Sequence, residues 1–161
     1  MPPAGRACGF IIARTFCVLS IERIHDKEER MRIIVIGAHP DDCEYYAAGT
    51  AVKWISAGHR VKFVSVTNGD AGHQTLRGDH LARIRRAETE RADRLLGVEC
   101  EVLDNHDGRL SPDVNIRENL IRIIRRWEAD AVISHRPWDY HPDHRATGVL
   151  TQDTAYLALV P

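Results

Sequence analysis

The sequence lacks several features that would assign it to a specialised class of protein. Its 22 basic and 23 acidic residues nearly cancel, so the basic excess of a typical nucleic-acid-binding protein is missing. No apolar run approaches the roughly 20 residues that a membrane-spanning helix needs. The four cysteines are scattered without a CxxC pair, which disfavours both a disulfide framework and a thiolate zinc site. A reducing, cytoplasmic setting is the resulting expectation.

What the chain does contain fits one globular domain preceded by a segment of different character. With 161 residues and 43% hydrophobic content, the chain can bury a single core. Residues 1–30 end in a charged run, and no small-residue cleavage site marks them as a secretory signal. We therefore expect residues 1–30 to be a poorly ordered extension and residues 31–161 to be the folded domain.

From Met31 onward, strand patterns and helix patterns alternate four times. The predicted strands cover residues 33–38, 61–67, 99–103 and 131–134, and the predicted helices cover residues 44–57, 79–96, 111–127 and 142–157. Ser111 is the expected N-cap of the third helix. Such alternation is typical of an α/β fold with a mostly parallel sheet and right-handed crossovers. The first strand is followed by GAHPDD instead of GxGxxG, which disfavours a nucleotide-binding domain.

Two His-Pro-Asp segments, at residues 39–41 and 141–143, each follow a predicted strand. The carboxyl ends of parallel strands lie at one edge of the sheet, which is where open α/β sheets bind their ligands. Either segment alone would be read as a turn, because His, Pro and Asp favour turns. Two copies at the same edge, each followed by a further Asp or His, favour a shared site.

We predict that His39, Asp42 and His144 hold a metal ion. Two histidines, one carboxylate and an open position form the usual catalytic arrangement for zinc. Iron(II) or another divalent metal stays open as an alternative, because non-haem iron uses a similar triad.

Three further residues of these segments are left to act on a substrate. Asp41 is the candidate general base for a water that attacks an amide carbonyl polarised by the metal. His141 is the candidate acid or oxyanion donor. Asp143 is expected to fix the tautomer of His141. The predicted products are acetate and a free amine.

Four nearby residues can be explained without a role in the site. His135 fits a hydrogen-bonding residue at a strand end better than a metal ligand. Cys43 fits a small packing residue better than a nucleophile. Arg85 can lie on a solvated helix face, and Tyr140 can either line the site or cover the sheet edge.

Five segments together resemble the LmbE-like (PIG-L) zinc-dependent deacetylases. They are AHPDDCE at 38–44, TNGDAGH at 67–73, RRAETERADRLLGV at 85–98, DGRL at 107–110 and HRPWDYHPDHRAT at 135–147. The resemblance implies a Rossmann-like three-layer sandwich and a small-molecule substrate, an N-acetylated amino sugar or glycoconjugate. It also implies metal ligands at His39, Asp42 and His144, a base at Asp41 and an acid at His141 oriented by Asp143. Arg85 would lie near the substrate pocket, and we expect Tyr140 to line it.

The chain ends at Pro161, whereas members of this family usually continue well beyond the final helix. We therefore expect a C-terminally truncated form with an exposed sheet edge. Two alternatives follow: a homo-oligomer in which a second copy supplies the missing wall, and a non-catalytic metal- or sugar-binding domain.

Overall fold

The computed structural model describes residues 8–12, 16–21 and 30–160, the first two ranges by their backbone. Strands β1 and β2 span Cys8–Ile12 and Phe16–Ile21. The other strands are β3 (Arg32–Gly37), β4 (Arg60–Thr67), β5 (Glu99–Asn105) and β6 (Ala131–His135). The helices are α1 (Asp42–Ser56), α2 (Gly78–Leu96), α3 (Val114–Trp127) and α4 (Pro142–Leu157). All eight elements predicted from Met31 onward are present in the predicted order.

The described strands form one six-stranded sheet in the order β1-β2-β6-β3-β4-β5. Strands β6, β3, β4 and β5 are mutually parallel, whereas β1 and β2 are added as antiparallel strands beyond β6. The prediction of an α/β fold with a mostly parallel sheet is therefore confirmed.

The N-terminal segment contributes to the sheet, which the sequence did not lead us to expect. Residues of β2 pair with β6, with Val18 opposite Ile133 and Phe16 opposite His135. The rest of residues 1–29 lies outside the described residues, so the domain boundary at residue 31 stays a prediction.

Helices cover both faces of the parallel strands and give the fold its three layers. Alternate residues of β3 point to opposite faces, so Ile34 and Ile36 enter one buried cluster while Ile33 and Val35 enter the other. Side chains of α3 and α4 complete the first cluster, and side chains of α1 complete the second. Burial on both faces explains why these strands read as continuous apolar runs.

The start of α3 differs from the prediction. Its N-cap is Asp113, whose Oδ1 accepts a hydrogen bond from the Asn115 N–H at 2.8 Å. The expectation that Ser111 caps the helix is wrong. An aspartate caps a helix as well as a serine does, so the composition of this turn left two candidates and only the backbone path selects one.

The strand order creates a crevice where the site residues meet. Strand β3 is flanked by β4 on one side and by β6 on the other, so the chain leaves β3 in one direction and returns on its opposite side. Ligands bind at such a switch point, outside the carboxyl ends of the strands. The loops after β3 and β6 are therefore neighbours, although about a hundred residues separate them in the chain. Within the described residues, no helix is long and apolar enough to cross a membrane.

Candidate metal centre

The loop after β3 turns sharply, so that Asp42, the first residue of α1, lies close to His39. The backbone N–H of His39 donates to Oδ2 of Asp42 at 2.7 Å. A Cβ atom at Gly37 would lie 2.8 Å from the Cβ of Asp42, so only glycine permits this close approach. Asp41, the residue before the helix, has a φ of 146°, a strained backbone conformation for a non-glycine residue. Strain of this kind is concentrated at functional sites.

Asp42 lies between the two histidines that the sequence predicts as its co-ligands. Its Oδ2 is 3.3 Å from Nδ1 of His39, and its Oδ1 is 3.3 Å from Nε2 of His144. Two ligand atoms bound at about 2.0–2.1 Å to a tetrahedral ion lie roughly 3.4 Å apart. Each histidine thus lies beside an oxygen of Asp42 at a spacing that two ligands of one zinc-sized cation would have.

In both His39 and His144, the ring nitrogen that does not face Asp42 contacts another carboxylate. Nδ1 of His144 lies 3.1 Å from Oδ1 of Asp139. Nε2 of His39 lies 3.2 Å from Oδ2 of Asp143 and 3.2 Å from Oδ1 of Asp107. Metal-bound histidines commonly donate their other N–H to a carboxylate, which fixes the tautomer and makes the ring a stronger ligand. The surroundings of His39 and His144 therefore match those of metal-binding imidazoles.

Among the described residues, three overlapping sets of donor atoms could hold a cation. They are His39, His141 and His144; Asp42, His135 and His144; and His39, Asp107 and Asp143. The predicted triad of His39, Asp42 and His144 is not one of these sets, because its members are divided between the first two, and it stays a prediction. The second set places His135 close to Asp42, with Nε2 3.2 Å from Oδ2. That same nitrogen also lies 3.1 Å from the backbone nitrogen of Ala38, so it is already in contact with two protein groups. This contact agrees with the interpretation of His135 as a hydrogen-bonding residue at the strand end.

The pKa values of Asp42 and His39 are shifted because buried carboxylates and imidazoles lie next to each other. Burial alone would raise the pKa of Asp42, but the imidazoles of His135, His144 and His39 hold that pKa below its ordinary value. Burial would lower the pKa of His39, but contacts with Asp107 and Asp42 raise it to about 10. The carboxylates thus stabilise positive charge at this position, as a cation site requires.

Asp143 differs from its predicted role. Its carboxylate accepts hydrogen bonds from the Gly108 N–H at 2.7 Å and the Leu110 N–H at 3.3 Å, and it contacts His39 instead of His141. The only described contact that orients His141 through this residue is a hydrogen bond from the Asp143 backbone N–H to Nδ1 of His141, at 3.2 Å. The reason is local: His141 caps α4 with its own side chain, and Asp143 then points toward the loop that follows β5.

The ring of His141 lies beside the rings of His39 and His144. Its ring centroid lies 4.7 Å from that of His39 and 4.9 Å from that of His144. Burial and the neighbouring His39 and His144 lower the pKa of His141 below its ordinary value. A neutral imidazole at this position can donate its N–H to an oxyanion or take up a proton.

Asp41 is the one predicted site carboxylate that stays exposed. Its Oδ2 is hydrogen-bonded to Nη2 of Arg85, which also donates to the carbonyl of Pro40. Arg85 therefore belongs to the site instead of a solvated helix face. Its guanidinium fixes the direction in which the Asp41 carboxylate points.

These residues line a cavity of about 400 Å³. Asp41, Arg85, Tyr140 and His141 contribute side chains to its wall. Tyr140 is 75% exposed, with its ring centroid 5.4 Å from that of His144, so it lines the site and leaves a broad face open to solvent. The volume lies within the range of small-molecule sites.

Asp107 and Asp139 were not predicted as site residues. Asp107 appeared only within the DGRL segment and Asp139 only within the HRPWDYHPDHRAT segment, without a role of its own. The available signal was their position, since each lies in a loop at the carboxyl edge of the sheet, near the end of β5 or β6. Loops at that edge carry the functional residues of such folds.

Comparison with known proteins identifies the family. The family model for PIG-L, described as GlcNAc-PI de-N-acetylase, matches residues 34–155. A diacetylchitobiose deacetylase from Thermococcus kodakarensis is 31% identical over 136 residues, covering 81% of this chain and 51% of its own length. A mycothiol S-conjugate amidase from Streptomyces coelicolor is 33% identical over 149 residues, covering 76% of this chain and 51% of its own length.

Solved structures agree with the sequence comparison. The N,N'-diacetylchitobiose deacetylase of Pyrococcus horikoshii has a TM-score of 0.77 and 34% identity, covering 83% of this chain and 52% of that one. A 4-carboxy-2-hydroxymuconate hydratase from Pseudomonas, GalB, has a TM-score of 0.72 at 24% identity, covering 77% of this chain and 55% of that one, and shows the fold alone. The chain spans about half of the length of the first two relatives and of both structures. With the two His-Pro-Asp loops at the carboxyl edge of the sheet and a match over residues 34–155, the chain belongs to the PIG-L (LmbE-like) family.

Proposed function

We propose that this protein is a zinc-dependent N-deacetylase that removes the acetyl group from an N-acetylated amino sugar or glycoconjugate. The observation that carries the proposal is the placement of Asp42 at 3.3 Å from both His39 and His144, with carboxylates behind both rings. Membership of the PIG-L family supports an amide hydrolase. The activity is a proposal because the chain covers only about half of its relatives.

His39, Asp42 and His144 would hold the metal. A divalent ion in such a site supplies a Lewis acid that polarises the amide carbonyl and lowers the pKa of a water. Two imidazoles and one carboxylate suit zinc best, and iron(II) is the alternative that metal analysis must distinguish.

Asp41 acts as the general base. It lines the cavity, stays exposed to a substrate and is oriented by Arg85, so its carboxylate can take a proton from the attacking water. The water oxygen forms the new bond to the acetyl carbon. Asp42 cannot serve as this base, because its two oxygens face His39 and His144.

His141 acts on the opposite side of the reacting amide. Its Nδ1 accepts the Asp143 N–H, which leaves Nε2 free to face the cavity. From there its N–H stabilises the oxyanion, while the proton that Asp41 took from the water passes to the amide nitrogen as the C–N bond breaks. The products are acetate and the free amine of the sugar.

The substrate class follows from the cavity and the relatives. A volume of about 400 Å³ accommodates a monosaccharide, and the exposed ring of Tyr140 offers a flat surface to one face of a sugar. The relatives act on diacetylchitobiose or mycothiol S-conjugates, and a third, from Bacillus anthracis, is a probable N-acetylglucosaminyl malate deacetylase. Two of these three relatives act on acetylated amino sugars, and those two differ in the group attached to the sugar. The cytoplasmic location and a homo-oligomeric state stay predictions.

The test combines metal analysis with acetate release. The purified protein should contain one zinc per chain and should release acetate from N-acetylglucosamine derivatives. Replacing a ligand, as in His144→Ala, should remove both the metal and the activity. His80→Ala is the matched control, since His80 is an exposed histidine on α2 outside the cavity.

The non-catalytic alternative predicts a different pattern. A metal- or sugar-binding domain would contain stoichiometric zinc but release no acetate from any substrate in the panel. Such a result would contradict the proposed function while leaving the metal site intact.

A further inference from the structure

A second depression adjoins the metal-centre cavity. It has a volume of about 280 Å³ and shares Ala71 and Asp107 with the wall of the larger cavity. Its other lining residues come from the loop before α2 and the loop after β5: Asp70, Arg77, Gly78, His106 and Arg109. A group attached to a sugar in the main cavity can therefore extend into it.

Two of the residues that line this depression are arginines without an ion-pair partner in the described part of the chain. Arg77 and Arg109 are exposed, and neither makes an ion pair or a side-chain hydrogen bond within the part of the chain that the structure describes. By contrast, Arg85 in the main cavity is paired with Asp41 and Glu88. Guanidinium groups that line a pocket without a protein partner are suited to bind a carboxylate or a phosphate.

The acidic residues of the depression make their contacts elsewhere and form no ion pair with these arginines. Oδ2 of Asp70 pairs with Nδ1 of His106, and its Oδ1 accepts the Asp107 N–H at 2.9 Å. The carboxylate of Asp107 contacts His39 on the metal-centre side at 3.2 Å. Each carboxylate already has a cationic or N–H partner, so the two guanidinium groups remain for a ligand.

We propose that the depression lined by Arg77 and Arg109 is an anion subsite for the group attached to the amino sugar. The substrate would then be an anionic conjugate, with a carboxylate or a phosphate on the side of the sugar that faces this depression. The inference rests on the proposed deacetylase function and names its substrate class more narrowly.

Matched substrates separate charge from size. The O-glycoside of glycolic acid with N-acetylglucosamine differs from the corresponding glycolamide glycoside only by replacing a carboxylate with a neutral amide. A second pair compares N-acetylglucosamine 1-phosphate with the neutral methyl glycoside of N-acetylglucosamine, and it tests a phosphate in place of a carboxylate. We expect kcat/KM for the anionic substrate to exceed that for its neutral partner by about tenfold or more in at least one of the two pairs. The pair with the larger ratio shows whether the subsite prefers a carboxylate or a phosphate.

Variants then locate the effect. In the double variant Arg77→Gln/Arg109→Gln, the ratio of kcat/KM for the anionic substrate to kcat/KM for its neutral partner should fall by about tenfold. The fall should come mainly from a higher KM for the anionic substrate. Arg83→Gln is the control, because Arg83 is an exposed arginine of α2 outside both cavities. It should leave the ratio unchanged. Raising the salt concentration should reduce the ratio in the parent protein, since exposed charges are screened.

Binding measurements keep the inference testable if turnover fails. Calorimetry with zinc-loaded protein should show tighter binding of the glycolate glycoside than of the glycolamide glycoside, and the double variant should abolish that difference. Absence of acetate release from every substrate would contradict the proposed function, whereas equal binding of the two glycosides would overturn the anion subsite. A ratio that falls equally in Arg83→Gln would also overturn it, because the effect would then reflect net charge alone.

Discussion

Two groups of buried carboxylates in this protein have opposite environments. At the candidate metal centre, Asp42 and Asp139 each contact imidazoles, and the pKa of each is lowered because these partners outweigh the effect of burial. Where α1 meets α2, Glu44 and Asp93 are buried together, and their carboxylate oxygens accept no hydrogen bond from the described residues. Burial and the charge of Glu44 raise the pKa of Asp93 to about 7.

The difference shows that burial by itself does not decide how a carboxylate behaves. A carboxylate with a cationic or N–H partner keeps its charge and can hold a metal or orient a ligand. A carboxylate without such a partner favours its protonated form and makes folding depend on pH. The following substitutions test this contrast, and they are ordered by the size of the expected effect.

Asp41→Asn should lower kcat by about 10³-fold, since loss of a general base typically removes a factor of 10²–10⁴. Asp41 is exposed and pairs with Arg85, so its chemistry should be lost without loss of structure. Zinc content and the unfolding midpoint should match those of the parent protein. Loss of zinc in this variant would contradict the assignment of Asp41 as a non-ligand.

Asp139→Asn should weaken zinc binding by about 10–100-fold, because Asp139 holds the outward nitrogen of His144. The measurement is a competition titration with a chelator. Asp153→Asn in the exposed part of α4 is a control of the same chemistry. Unchanged zinc affinity in Asp139→Asn would show that His144 does not need this carboxylate.

Asp143→Ala distinguishes two roles for one residue. If its carboxylate orients His39, as its 3.2 Å contact suggests, zinc affinity should fall by about tenfold or more. If it acts on His141 instead, kcat should fall while zinc affinity is unchanged. Chelator competition and kcat measured at saturating zinc separate these outcomes.

Asp93→Asn should change the pH dependence of stability. The pKa of Asp93 is raised in the folded protein, so its contribution to stability is full below about pH 4 and is lost as the pH rises through about 7. The loss is on the order of a few kcal/mol at most. Urea unfolding at pH 5 and pH 8 should show a smaller difference for Asp93→Asn than for the parent protein. Equal differences in the two proteins would contradict the raised pKa.

Much of the fold was predictable because its signals are local. The apolar runs of β3 and β4 and the spacing of Leu81 and Ile84 along α2 indicate their elements without tertiary information. The N-cap of α3 was missed because Ser111 and Asp113 are both good capping residues. Strands β1 and β2 were missed because strand pairing depends on a partner, β6, that lies more than a hundred residues away.

The candidate site was only partly predictable for a related reason. The two His-Pro-Asp segments were recognisable because they follow strands, which places both at the same edge of the sheet. They meet because β3 and β6 are adjacent in the strand order. Nothing in the chain order links Asp143 to His39, and although Asp139 lies close to His144 in sequence, its proximity does not by itself show that the two side chains meet. Those contacts depend on side-chain directions that the packing of the loops determines.

The sequence by itself determined the alternation of strands and helices, the edge of the sheet where polar residues gather, and the family. These follow from periodicity and from short motifs, which are properties of neighbouring residues. Only the tertiary structure decided which carboxylate supports which imidazole, that Arg85 holds Asp41, and that Arg77 and Arg109 share a depression. Such pairings arise because distant segments pack against each other, and a hydrogen bond exists only when its distance and angle are satisfied.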